Sequence, residues 1–111
     1  IGMTPRNTNS KILIFGIANG HRMNNSAGNA IINIKRAVTG GSTDFLSGQT
    51  LGIAHTYSTN ATTTPIFFVD TTTGTAERTY TVVHRDNTNS YTATTFRANT
   101  SNMFMLAEIL P

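Results

Sequence analysis

The chain carries its longest uninterrupted apolar stretch near its beginning, at Ile12-Leu-Ile-Phe-Gly-Ile-Ala18. Successive side chains of a β-strand point to opposite faces, so a strand with this sequence is apolar on both sides. Such strands are typical of the middle of a sheet, where other elements cover both faces. The pair Asn19-Gly20 follows, and it favours a tight turn. We therefore expect a central β-strand that ends at this turn.

Apolar runs of similar length recur along the chain, with turn-forming residues between them. They predict six further strands, at Ala30 to Val38, Thr50 to Tyr57, Ile66 to Val69, Arg78 to Arg85, Tyr91 to Arg97 and Met103 to Leu110. A terminal partner strand near Ile1 to Thr4 would be the eighth. Between these runs, Gly40 to Asp44 is expected to form a loop. Seven to eight short strands joined by polar turns predict an all-β fold, an antiparallel β-sandwich of jelly-roll-like type.

Length and composition agree with one small sandwich. The 111 residues suffice for one domain and are too few for two well-packed ones. Thr, Asn and Ser provide 40 of the 111 residues, whereas only 12% are charged, against about 25% in an average soluble protein. Thr suits strands, and Asn and Ser suit turns. We expect residues 1–111 to form a single β-sandwich domain, the C-terminal or ordered part of a longer chain.

The charge pattern argues against a nucleic-acid partner. The net charge is +3, but the eight basic residues are spread along the sequence. Only Lys35 and Arg36 are adjacent, and strand neighbours point to opposite faces. A surface that follows a phosphate backbone would show clustered Lys and Arg. No apolar run approaches the roughly 18 residues of a membrane span, so we also expect no membrane insertion.

Patterns typical of catalysis or metal binding are missing from the sequence. The absence of cysteine excludes disulfides, thiolate zinc sites and cysteine nucleophiles. The histidines His21, His55 and His84 have no spacing typical of metal ligands, and we expect them to be hydrogen-bonded core or interface residues. No G-x-S-x-G motif occurs, and most of the five acidic residues stand beside turns. We therefore expect no enzymatic activity, no cofactor and no metal.

Two predicted strands are apolar on both faces, although a sandwich buries only one face of each sheet. They are Ile12 to Ala18 and Met103 to Leu110. The surplus apolar face predicts contact with another subunit. The candidate subunit-interface residues are Met103, Met105, Phe67 and Ile17.

Three parts of the sequence together resemble a family of β-sandwich domains in virion structural proteins of marine phages, cyanophages among them. Met3-Thr-Pro5 with Ser10-Lys-Ile-Leu-Ile14 is similar to the opening of that domain. Phe68-Val-Asp70 with Tyr80-Thr-Val-Val-His-Arg85 is similar to its middle, and Met105-Leu-Ala-Glu-Ile109 to its last strand. The order of the segments is preserved over nearly the whole chain. Two departures are that the family usually has one more strand upstream of the segment at Met3, where little of this sequence precedes it, and that Ala107 takes the place of a usual Met.

The resemblance implies a β-sandwich, often trimeric, on the surface of a virion assembled in the host cytoplasm. The first expectation is a homotrimeric capsid decoration or cement protein that binds the major capsid protein or other virion proteins. The alternative is the receptor-binding head of a tail or head fibre, with a host surface glycan as partner. A third reading, from another class, is a carbohydrate-binding module or a carbohydrate-active enzyme.

Overall fold

In the computed structural model of this chain, residues 1–21, 30–47, 52–56, 62–86, 92–93 and 103–111 are described. These residues form nine β-strands and no helix. The strands are β1 (Gly2–Met3), β2 (Lys11–His21), β3 (Ala30–Val38), β4 (Thr43–Phe45), β5 (Ala54–Thr56), β6 (Thr62–Asp70), β7 (Arg78–Asp86), β8 (Thr92–Ala93) and β9 (Met103–Ile109). The described part of the chain therefore includes no helix able to cross a bilayer.

The strands form two antiparallel sheets, which confirms the predicted β-sandwich. The larger sheet has the order β1-β7-β3-β4, with β5 also paired to β3 and β8 to β7. The smaller sheet has the order β6-β2-β9. Successive long strands alternate between the sheets: β2, β6 and β9 belong to the smaller one, β3 and β7 to the larger one. Connections between long strands therefore pass from one sheet to the other.

The core lies between the two sheets and is rich in isoleucine. Each long strand contributes its inward-facing positions, as period-two alternation requires. The buried members of the cluster are Ile12, Ile14, Ala18, Ile32, Ile34, Ile66 and Tyr80. Because the members come from both sheets, burial of this cluster holds the sheets together.

The predicted end of β2 is wrong. The strand continues through Asn19-Gly20 to His21, and no turn forms there. The pairing register with β6 shifts between Asn19, opposite Thr63, and His21, opposite Thr62. The additional residue, Gly20, is accommodated as a β-bulge, a feature that glycine tolerates well. Asn19 and Gly20 are thus part of a long strand, although the pair favours a turn, because the partner strand β6 extends alongside them.

Other strand boundaries match the predictions to different degrees. Ala30–Val38 is confirmed, and Gly2–Met3 provides the expected terminal strand. Thr43–Phe45 lies in the predicted loop but pairs with β3. Of the predicted strands at 50–57 and 91–97, Ala54–Thr56 and Thr92–Ala93 are strands, whereas 50, 51, 57, 91 and 94–97 lie outside the described residues.

Candidate interaction surface

One face of the smaller sheet points away from the core. Ile12 and Ile14 of β2 are buried between the sheets, so Leu13, Phe15 and Ile17 point to the opposite side. The register with β6 and β9 extends this alternation across all three strands. We call this surface the outer apolar face. Its members are Leu13, Phe15, Ile17, Pro65, Phe67, Val69, Met103, Met105, Ala107 and Ile109.

The register arranges the outer apolar face in rows across the strands. Phe15 in the central strand lies between Phe67 on β6 and Met105 on β9. The neighbouring row consists of Pro65, Ile17 and Met103. Pro65 removes one backbone donor from β6, which is tolerated because β6 is an edge strand among the described residues. The result is a continuous apolar surface three strands wide.

Five large side chains of this face are exposed. Phe67 is 73% exposed and Met103 54%, while Met105, Ile109 and Ile17 are 47%, 44% and 37% exposed. Single exposed apolar residues are common on proteins, but a contiguous group of this size is typical of an interaction site. The outer apolar face is therefore the candidate functional site of the domain.

All four predicted subunit-interface residues lie on the outer apolar face. Ile17 comes from β2, Phe67 from β6, and Met103 and Met105 from β9. The structure thus brings together residues that are up to 88 positions apart in the sequence. Sequence reasoning did not predict that Phe15 would stand at the centre of the group. Whether another chain contacts these residues stays a prediction.

The larger sheet presents a different surface to the outside. Lys35 of β3 is exposed, and so are Thr79 and Thr81 of β7. Lys35 pairs directly with Thr81 in the register of the two strands. Polar residues at outward positions are what a solvated sheet face requires. In the described residues of β3 and β7, the larger apolar residues at outward positions, Ile31 and Val83, are buried, whereas large apolar side chains on the outer face of the smaller sheet are exposed.

A buried ionic cluster, centred on Asp70, connects the two sheets. Arg36 Nη1 donates to Asp70 Oδ1 at 2.9 Å, and the Tyr80 hydroxyl donates to Oδ2 at 2.8 Å. The Thr72 backbone N–H also donates to Oδ1, at 2.9 Å. Arg78 Nη1 lies 3.7 Å from Oδ2, and the Arg78 and Asp70 side chains are only 1% and 2% exposed. Asp70 from the smaller sheet thereby holds three side chains and a backbone N–H in place.

The cluster determines the ionisation of its acidic groups. Burial by itself raises the pKa of Asp70, but hydrogen bonds from Thr72 and Tyr80 and the charge of Arg36 outweigh it, so the pKa lies below its usual value. Burial raises the pKa of Tyr80, and the hydrogen bond to Asp70 and its negative charge raise it further. At neutral pH Asp70 is therefore a carboxylate and Tyr80 a neutral donor.

Beside this cluster, a groove of about 210 Å³ opens to solvent. Arg36 Nη2 donates to Asp44 Oδ2 at 2.9 Å, and the Asp44 side chain is 48% exposed. Phe45, Phe68 and Thr72 also line the groove. The groove thus combines a carboxylate, a guanidinium and aromatic rings in one small space.

The sequence contained a signal for part of the ionic cluster. Arg36 shares the alternation of Ile32 and Ile34 in β3, and Arg78 shares that of Tyr80 in β7. These positions place both guanidinium groups inside the sandwich. The alternation of residues within one strand does not predict that Asp70 of the opposite sheet lies next to Arg36 and Arg78.

The histidines take different positions. His55 pairs with Ile31 at the edge of the larger sheet and is exposed, so it is not a core residue. His84 is half-buried, whereas the side chain of His21 lies outside the described part of the structure. Within the described residues, no group of three or more His, Asp or Glu side chains is placed to hold a metal ion.

Comparison with known proteins gave no relative: no family model, no curated protein and no solved structure matches this chain.

Proposed function

We propose that this protein is a non-enzymatic structural protein on the surface of a phage particle. In this proposal it acts as a homotrimeric capsid decoration or cement protein that binds the major capsid protein or neighbouring virion proteins. The observation that carries the proposal is the outer apolar face, because a domain with such a surface functions by association. Many copies on a repeating lattice would add weak single contacts into strong attachment.

Two further observations support a binding role rather than catalysis or nucleic-acid binding. Arg36 and Arg78, two of the eight basic residues, are inside the sandwich, where a phosphate backbone could not reach them. Asp70 is engaged by four donors or cationic groups and holds the fold together. The assignment to a phage particle itself comes from the sequence resemblance.

The copy number of the chain in purified particles tests the proposal. Quantitative mass spectrometry against the major capsid protein should give about one copy per capsid subunit, or a simple fraction set by threefold positions. A result of only a few copies per particle would contradict the decoration role and favour a role in a fibre. Absence of the chain from particles that contain the encoding genome would contradict the virion assignment.

The groove beside Asp44 favours a second candidate function, the binding of a host surface glycan by a fibre head or a carbohydrate-binding module. A carboxylate accepts hydrogen bonds from sugar hydroxyls, and a guanidinium donates hydrogen bonds to them. The ring of Phe45 offers an apolar surface beside these groups. A glycan array followed by calorimetry would test this function. Binding that is lost in Asp44→Ala and kept in a Phe67→Glu control would support it, and an array without hits would contradict it.

A further inference from the structure

We propose that the outer apolar face is covered by the outer apolar faces of further copies of this same chain. The inference rests on the proposed structural role and names the partner at that surface. Copies would meet around a symmetry axis that passes close to Phe15 and Ile17 of the central strand. Phe67 on one edge strand and Met103 and Met105 on the other would complete the contact on either side.

Five exposed side chains of the face supply more than half of the roughly 800 Å² that a standard interface buries on each partner. The exposed fractions of five residues on the face add up to the exposure of about two and a half complete side chains. These residues are Ile17, Phe67, Met103, Met105 and Ile109. At roughly 200 Å² for a large side chain this is about 500 Å², before the half-buried residues between them are included. The largest apolar patch on a typical monomer is about 300–600 Å², and a standard interface buries roughly 800 Å² on each partner.

The charge of the face favours a second copy over a charged partner. Its ten members are all uncharged, and Lys11 stands only at the end of the sheet, opposite Ile109. The chain as a whole has a net charge of +3, so copies that met through other surfaces would bring like charges together. An uncharged face avoids this repulsion, and apart from Lys11 at its margin it offers an acidic or basic partner no charge to pair with.

The shape of the face suits sheet-on-sheet contact. Three antiparallel strands form a regular surface, and sheets stack face to face about 10 Å apart when their side chains interdigitate. The same surface is present on every copy, which is the condition for a closed symmetric assembly. Copies of the smaller sheet can therefore bury their outer faces as the two sheets of one sandwich bury their inner faces.

The first test is the mass of the purified protein in solution, measured by light scattering over a range of concentrations. We expect an oligomer, a trimer under the proposed function, that dissociates to a folded monomer in Phe67→Glu and in Met105→Glu. Thr81→Glu on the polar outer face of the larger sheet is the matched control and should leave the oligomer intact. Circular dichroism shows whether each variant keeps its β-structure.

A second test locates the interface without disturbing it. The chain has no cysteine, so a single spin label can be placed at Lys11→Cys, at the margin of the outer apolar face, or at Thr81→Cys. Pulsed electron paramagnetic resonance should give a shorter distance between copies for the label at position 11 than for the label at position 81. The reverse order would show that copies meet through another surface and would overturn the inference.

The outcomes separate this inference from the proposed function. A wild-type protein that stays monomeric at high concentration would overturn the inference, even if the chain is abundant in particles; another virion protein would then cover the face. An oligomer that is lost in both outer-face variants supports the inference, even if the chain is absent from particles. A dimer would support it too and would correct the trimer of the proposed function.

Discussion

Gly16 stands where β2 and β9 approach each other too closely for a side chain. A Cβ atom at this position would lie 2.0 Å from the backbone oxygen of Met103. The obstacle is backbone, so it cannot be removed by rotating a side chain. The glycine therefore permits the pairing that brings Met103 and Met105 beside β2.

We predict that Gly16→Ala destabilises the domain by about 1–3 kcal/mol, as for other substitutions that force the backbone to shift. Urea denaturation followed by circular dichroism measures the change in free energy of unfolding. Gly2→Ala is the control, because a Cβ there meets the flexible end of the Glu77 side chain at 3.1 Å. Equal stability of the two variants would show that β9 adapts without cost.

Asp70 is the residue on which the buried ionic cluster depends. Asp70→Asn removes the buried carboxylate beside Arg78 and leaves Arg36 with the half-exposed Asp44, and the loss of one partner from a buried ion pair typically costs about 3–5 kcal/mol. We predict a destabilisation in this range, measured by urea denaturation. Asp44→Asn removes the half-exposed partner of Arg36 and should have a smaller effect.

The lowered pKa of Asp70 predicts that the stability of the domain depends on pH. The pKa of Asp70 is lower in the folded than in the unfolded chain, whose value is near 3.8, so the folded state binds fewer protons. Its contribution is complete above the unfolded value and is lost as the pH falls through the folded value. We expect the free energy of unfolding to decrease below about pH 4, with a weaker decrease in Asp70→Asn. An equal decrease in both proteins would contradict the assigned role.

Adjacent residues on one strand have opposite environments in β6. Ile66 is 3% exposed and belongs to the core, whereas Phe67 next to it is 73% exposed on the outer apolar face. The strand therefore presents one side to the core and the other side to solvent. The same division holds for β9, where Phe104 and Leu106 face the core and Met103 and Met105 face outward.

This division predicts that two neighbouring substitutions have different consequences. Ile66→Ala should destabilise the monomer by about 2–5 kcal/mol, because it leaves a cavity in the core. Phe67→Ala should change the stability of the monomer by no more than about 0.5 kcal/mol and weaken association instead. Denaturation at low protein concentration and light scattering separate these effects. A large loss of monomer stability in Phe67→Ala would mean that the side chain packs within its own subunit.

At the scale of the whole molecule, one sandwich has two unlike outer surfaces. The larger sheet is polar outside at Lys35, Thr79 and Thr81, and the smaller sheet is apolar outside. In the proposed self-association, the assembly buries this apolar surface. Folding and association are then coupled by mass action.

We predict that the melting temperature of the protein rises with its concentration, because only the folded chain associates. Phe67→Glu should melt at a temperature that does not depend on concentration. Differential scanning calorimetry of both proteins over a hundredfold range of concentration makes the comparison. A wild-type melting temperature that is constant over this range would contradict self-association.

Local sequence pattern is sufficient to predict the fold class and the surplus of apolar surface. Alternating apolar positions require strands, and β2 is apolar on both sides, so its central place followed from local pattern alone. The same rule selected Ile17, Phe67, Met103 and Met105, which share one face. Alternation is a local property, and it can be read without knowing which strands are neighbours.

The pairing of the strands, their register and the contacts between charged residues come from the tertiary structure. The continuation of β2 through Asn19-Gly20 depends on its pairing with β6. A β-bulge is an extra residue in one strand of a pair, so it exists only where a partner strand is present. The contact of Asp70 with Arg36 and Arg78 depends on the approach of two sheets. The rows of the outer apolar face likewise arise from the register of β6 and β9 on β2. These features join residues far apart in the sequence, and the burial of one shared core brings them together.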